Sequence, residues 1–396
     1  MLKEEASQEG ESMTLLDEIL DEMWIIPHFD VHSHFGLREG EVKDLEGFLA
    51  NWSQPETPPH GLSQEGLAEW RRSRWPMKRS TWFSRSFQVA LRRLYGRDDT
   101  RGLLAEMNRI RSMTIEEAVD WMCERSGVER IVVDSNPKLA VRCERVLSTY
   151  RLDARSLTLE PEGLWEIVGR VEGEVKEMRL KGSVSCFKVP VAYLRTLRFE
   201  GVEEEEAERI SDLPPRKRKA EEQRMLEDFV YRYFFRKAGE WDMPVEIHTG
   251  FGWAIHRRPL RLSEADPENL LPVLEDESFR STRFVLFHGG YPFTSKAAYL
   301  AASFSNVYLD FTCLSPESWS LLKRCLHEWI DVVPMDRIVT GSDGSYEWVF
   351  FASMFNRQCL AEVLAEKIET EFMDRALATQ VGRRILRENA AELFLG

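Results

Sequence analysis

Two histidines one residue apart, His32 and His34, close an apolar, β-prone stretch that runs from Ile25 to Gly36. On a strand, side chains two apart point to the same side, so both imidazoles would leave the strand end together. Neutral imidazole is the commonest protein ligand for divalent transition metals, and the pair makes a half-site. With eight His among 396 residues, a chance His-x-His is common enough that the pair gains weight only if further strands end in ligands. They do. Short apolar runs end at Asp134, Lys188, His248, His288, Asp310 and Asp343, so four of the eight histidines sit at predicted strand ends. Glycine follows closely in His248-Thr249-Gly250, His288-Gly289-Gly290 and Gly341-Ser342-Asp343-Gly344. Residues that small let backbone and ligand approach each other.

The elements that must position these side chains alternate. Strands are predicted at 25–36, 129–134, 155–160, 183–189, 244–248, 283–288, 306–311 and 337–343, with helical patterns between them, including Lys138–Tyr150 ahead of the third strand. Strands separated by helices imply parallel βαβ units. Eight of them predict an α/β fold, a (β/α)8 TIM barrel whose chemistry lies at the C-terminal strand ends. An open doubly wound sheet is the alternative, but no Gly-rich phosphate loop follows the first strand. Residues 37–127 carry no convincing strand. They show helical patterns at Asp44–Trp52, Ser63–Trp70, Ser84–Tyr95, Leu103–Met113 and Ile115–Ser126, the last opened by a Thr114/Glu117 capping box. A segment this long is no simple loop. The expected organisation is a tail and helix over 1–24, then a barrel over 25–396 with a helical insertion, or cap, at 37–127. Trp70, Trp75, Trp82 and Phe83 are expected to pack that insertion; His28 and His60 read as structural and His327 as a helix residue.

At these residues the chain resembles the amidohydrolase superfamily, over roughly 22–395. The His-x-His of strand 1, single His on strands 5 and 6 and Asp on strand 8 carry the resemblance. It is most similar to the amidohydrolase-2 branch, including the amidohydrolase-like domain fused to glutamine-synthetase-like domains. The resembling stretches there are Phe187-Lys188 with Tyr193-Leu194-Arg195, His248-Thr249-Gly250-Phe251-Gly252, His288-Gly289-Gly290-Tyr291-Pro292-Phe293 and Val307-Tyr308-Leu309-Asp310. The resemblance implies a divalent metal, Zn²⁺ first with Mn²⁺ or Fe²⁺ as alternatives, held by His32, His34 and His248 with Asp343 near or on it. Asp343 would move a proton between water and leaving group. His288 would bind a second metal or polarise the substrate carbonyl. Lys188 would be either a carboxylated bridge between metals or a cation for a substrate carboxylate. Asp30, Asp134 and Glu246 are candidate partners for the imidazoles, Glu246 the weakest because its alternation could turn it toward the helices. Tyr193, Arg195 and His256 are candidate substrate contacts. Two departures stand out: Thr158-Leu159-Glu160 lacks the Arg that the branch tends to place before the Glu, and Trp253 and His256 replace more polar residues.

The implied function is metal-dependent hydrolysis of a C–N or C–O bond in a small, carboxylate-bearing substrate. The alternatives are a decarboxylase of the same superfamily, a sugar isomerase like uronate isomerase, and a non-catalytic binding relative. Apolar content of 43% and charged content of 30% describe an ordinary globular chain. The net charge of -14 speaks against nucleic acid and acidic membranes as partners and leaves a small molecule, with a homo-oligomer allowed. Six scattered Cys without a C-x-x-C pair and no signal-like N-terminus point to a reducing, cytoplasmic setting.

Overall fold

The computed structural model describes residues 13–35, 40–52, 58–59, 61–134, 136–252 and 260–396. Thr14 and Asp17 form a capping box that opens α1 (Leu15–Ile25), whose buried face carries Ile19 and Met23. Strand β1 (His28–Ser33) follows, and then five helices: α2 (Leu45–Trp52), α3 (Gln64–Lys78), α4 (Trp82–Tyr95), α5 (Thr100–Arg111) and α6 (Ile115–Ser126). Ser63, Thr81, Asp99 and Thr114 cap the last four of these, and the Thr114/Glu117 box is present as expected. Side-chain caps satisfy N–H groups that a helix start leaves open.

The remaining chain alternates. Strand β2 (Val128–Val133), α7 (Pro137–Arg142) and β3 (Val146–Arg151) lead to α8 (Ala154–Thr158), α9 (Leu164–Leu180) and β4 (Cys186–Val189). Next come α10 (Glu204–Ser211), α11 (Ala220–Glu240), β5 (Val245–His248), α12 (Leu271–Leu274) and β6 (Phe284–Phe287). Helix α13 (Thr294–Ser303), β7 (Val307–Asp310), α14 (Leu314–Glu317), α15 (Trp319–Val332) and β8 (Ile338–Val339) precede α16 (Glu347–Glu369), α17 (Arg375–Arg383) and α18 (Asn389–Phe394). The eight strands pair in sequence order, every pair parallel. Val31 N–H donates to the Thr340 carbonyl, and Ser342 and Asp343 N–H both donate to the His32 carbonyl. These bonds bring the end of β8 back onto β1 and complete a (β/α)8 barrel.

One strand lies elsewhere than its sequence suggests. Residues 155–160 form no strand; most of them belong to α8, capped by the Asp153 side chain on Ser156 N–H. The third strand is Val146–Arg151, within the stretch read as helix. Helix α7 stops at Arg142, and Val-Leu-Ser-Thr-Tyr, rich in β-branched and aromatic residues, then pairs with β2 and β4.

The barrel interior is filled by Phe29, Val31, Val132, Cys186, Val285, Phe287 and Val339, and closed below by Leu393 and Phe394. Phe394 stacks on Phe29 with centroids 5.8 Å apart. A second apolar layer joins the β1–β2 insertion to α16, where Phe83 and Phe87 pack on Trp348 and Phe351. Inside that seam the Arg111 guanidinium grips Glu347 with two hydrogen bonds of 2.6 and 2.8 Å, and the Tyr95 hydroxyl donates to the same carboxylate. Among the described residues, no helix is long and apolar enough to cross a membrane.

Candidate active site

A pocket of about 270 Å³ opens at the C-terminal ends of the strands, with His32, His34, His248, His288 and Asp343 in its wall. Strand β1 delivers its histidines through an irregularity. Asp30 pairs with Ile131 and Ser33 with Val133, so three residue steps on β1 match two on β2. His32 then faces the interior, its ring 4.8 Å from that of Phe287. Buried Asp30 braces this turn by accepting from the backbone N–H of His32 at 3.1 Å and of Ser342 at 2.9 Å. A Cβ at Gly341 would stand 2.7 Å from both Asp30 Oδ1 and His32 N, so a larger residue would push β8 off β1.

The opposite histidines are held by similar means. Gly250, at φ +68°, passes so close to the Gly290 and Tyr291 backbone that a Cβ would lie 2.4 Å or less from both. That contact locks the loop after β5 onto the loop after β6 and sets the two rings face to edge, centroids 4.5 Å apart. His288 N–H reaches Asp310, which also accepts from Thr312. Asp310 is thus a brace for the β6 end. Burial raises the carboxyls of Asp30 and Asp310 to about 7.

Asp343 stands between two groups of donors. Its Oδ1 lies 2.9 Å from His34 Nε2 and 3.3 Å from His32 Nε2, while Oδ2 lies 3.0 Å from Cys313 Sγ. Burial works against its charge, but the two histidines hold its carboxyl well below the usual range. Three residues here, His288, Cys313 and Asp343, adopt left-handed backbone at φ +62°, +67° and +53°. Non-glycine residues in that region carry strain of order 1–3 kcal/mol each and concentrate at functional sites.

The donor set suits a divalent cation. His32, His34 and Asp343 bring one ligand atom each within 4.8 Å of one another, and so do His288, Cys313 and Asp343. Burial drives His248 well below its usual pKa and His288 to about 4, leaving neutral imidazoles of the kind metals bind. His32 behaves oppositely. Burial and the nearby Lys188 disfavour its charge, yet Asp343 and Glu246 outweigh them and raise it to about 9. Glu246 is fully buried with neither oxygen hydrogen-bonded, and its Oε2 sits 3.4 Å from His32 Nδ1. A buried carboxylate beside an imidazole demands positive charge at this spot, which a metal ion would supply. Glu246 therefore faces the barrel interior, not the helices.

The sequence-derived candidates divide. His248 joins His288, its Nδ1 3.1 Å from His288 Nε2, and stands apart from the His32/His34 group. Lys188 is buried in the pocket wall, Nζ 3.8 Å over the Phe287 ring and without a hydrogen-bond partner. Tyr193 also lines the pocket, its ring 4.5 Å from that of His248. Arg195 does not. It is buried in an ion pair with Asp228 and Glu227 of α11, away from the pocket, which corrects its expected role in substrate contact. His256 and Trp253, like His60, lie outside the described residues. Asp134 is engaged by Thr149 and by Arg151, each at 2.7 Å.

Arg151, Cys313, Trp52 and Trp348 also line the pocket and were not anticipated. Arg151 ends β3, a position that came into view only once the strand was placed at 146–151. Trp52 comes from α2 of the insertion and meets Trp348 of α16 edge-on at 5.5 Å.

The amidohydrolase family profile matches residues 192–395, a stretch that holds His248, His288 and Asp343. Protein fluG of Emericella nidulans is 28% identical over 161 residues, which make up 40% of this chain and only 18% of that protein. The chain therefore spans under a fifth of the length of that relative. Among solved structures, a Lactobacillus casei protein described as a metal-dependent hydrolase superposes with a TM-score of 0.74 at 20% identity, covering 95% of this chain and 97% of its own. Uronate isomerase of Thermotoga maritima gives 0.70 at 15% identity over 96% and 97%. Glucuronate isomerase of Caulobacter crescentus gives 0.66 at 13% identity over 98% and 95%. At such identities these likenesses speak for the fold. With the profile spanning more than half of the chain and the barrel complete, the chain belongs to the amidohydrolase family.

Proposed function

We propose that the chain is a metal-dependent hydrolase that cleaves a C–N or C–O bond in a small substrate bearing a carboxylate. The observation that carries this reading is the carboxylate of Asp343, set between two groups of side chains able to ligate a metal in the wall of a small pocket. A divalent cation, Zn²⁺ by its preference for such donors, would activate a water and polarise the scissile carbonyl. His32, His34 and Asp343, whose ligand atoms already converge, would hold it, and His248, which lines the same pocket, would complete the set as the site closes on the ion. Asp343 accepts the proton of the attacking water on a carboxylate oxygen and returns it to the departing nitrogen or oxygen. His288 would hold a second ion or polarise the carbonyl. Lys188, together with Arg151 on the Asp134 carboxylate, lines the pocket, and a substrate carboxylate would bind there in a charge-assisted contact. Tyr193, Trp52 and Trp348 bound the remaining space.

A sugar-acid isomerase is the second reading, favoured by the superposition of the whole chain, insertion included, on uronate isomerases. One experiment separates the readings. Purified protein is analysed for metal and assayed against acylated amino acids, aromatic carboxylates and uronates in heavy-oxygen water. Hydrolysis fixes the label in a non-exchanging carboxylate or hydroxyl of the product, whereas isomerisation labels only the exchangeable sugar carbonyl and decarboxylation only the released carbon dioxide. His248→Ala is expected to lower bound metal and abolish turnover. Retention of both would remove the site from consideration.

A further inference from the structure

The rings of His248 and His288 meet in a way that a barrel alone does not require. His248 Nε2 lies 2.9 Å from the Phe251 carbonyl oxygen, and His288 Nδ1 lies 3.2 Å from that of Thr312. A carbonyl oxygen only accepts, so each of those nitrogens carries its ring's hydrogen. The other two nitrogens, 3.1 Å apart, are therefore both lone pairs. Lone pairs facing each other at that distance repel, and a cation beside them removes the repulsion. Cys313 Sγ approaches the same place from the β7 loop, 3.0 Å from Asp343 Oδ2 and with its ligand atom within 4.8 Å of that of His288. The thiol is buried and held there by left-handed backbone.

We infer that Cys313 is a thiolate ligand to a soft divalent cation bound jointly by His288 and Asp343, on the far side of Asp343 from His32 and His34. The inference rests on the metal-dependent reading above and adds to it a second ion with a sulfur donor, beside the one at His32 and His34. Binding replaces the thiol proton, which leaves to solvent, and no electrons are transferred. Sulfur selects Zn²⁺, Co²⁺, Cd²⁺ or Fe²⁺ and disfavours Mg²⁺ and Ca²⁺.

The test is spectroscopic. The full chain loaded with Co²⁺ is expected to show a sulfur-to-cobalt charge-transfer band in the near ultraviolet. Cys313→Ser should abolish that band while keeping the visible cobalt bands, and Cys186→Ser, at the cysteine inside the barrel, should leave it intact. X-ray absorption of the zinc-loaded wild type, which depends on no variant, should show one sulfur neighbour at about 2.3 Å. Stoichiometric metal with only nitrogen and oxygen neighbours, or a band that follows Cys186, overturns the inference and leaves the metal reading standing. Failure to take up any metal overturns both.

Discussion

Asp343 faces His32 and His34 with one carboxylate oxygen and Cys313 with the other. Asp343→Asn keeps the shape but removes the proton acceptor. Its kcat is expected to fall by about a hundredfold to ten-thousandfold, read beside metal content, which separates proton transfer from metal loss. Arg151 makes a different kind of contribution. If it binds a substrate carboxylate, Arg151→Met should raise KM by about tenfold to a hundredfold, the worth of about 1.5–3 kcal/mol for a charged hydrogen bond, with little change in kcat. At this scale the sequence was informative wherever a side chain able to bind a metal ended a strand, as with His32, His248, His288 and Asp343, which the structure brings to one pocket. Cys313 escaped notice because it lies three residues beyond the end of β7, in a loop whose left-handed turn no local pattern announces. Glu246 lies two residues before His248 on β5 and so shares its side of the strand, which means alternation, properly applied, favours the interior placement that the structure shows.

Seven of the eight strands were legible as elements because apolar runs between helical patterns are strong signals. The third was missed because its burial is mixed, with Leu147 and Tyr150 half-buried and Arg151 exposed, and because α7 before it is only six residues long. That misplacement also concealed Arg151 at the strand end. The insertion's helices were readable from their caps and stripes, but not their docking, which depends on contacts about 240 residues apart in sequence. The Arg111–Glu347 pair is nearly buried on both sides, at 3% and 2% exposure. Removing one member of such a pair strands the other charge and costs about 3–5 kcal/mol. Arg111→Met should lower unfolding stability by about that amount in urea titration, and adding Glu347→Gln should recover part of it.

The whole molecule should be sensitive to acid through a buried histidine away from the candidate ligands' face. His28 is 1% exposed at the start of β1, and burial, aided by the charge of Arg357, lowers its pKa to about 3. The unfolded chain binds that proton near pH 6.5 and the folded chain does not, so stability is full above 6.5 and falls as pH drops toward 3. Between pH 6.5 and 5 the loss is about 2 kcal/mol, at about 1.4 kcal/mol per pH unit. Asp30 and Asp310, raised to about 7, titrate in the opposite sense, so the comparison must be made by difference. Wild type should lose about 2 kcal/mol more than His28→Leu over that interval in chemical denaturation, and equal losses would refute the assignment.

The meeting of Trp52 and Trp348 divides inheritance within the pocket. Every candidate ligand lies at or just past a barrel strand end, whereas Trp52 belongs to the inserted helices. Changes that accumulate in the insertion can therefore alter which molecules enter while the chemistry below stays untouched. For an engineer the same partition offers a handle: exchanging α2 between related barrels should retune substrate choice without rebuilding the centre that acts on it.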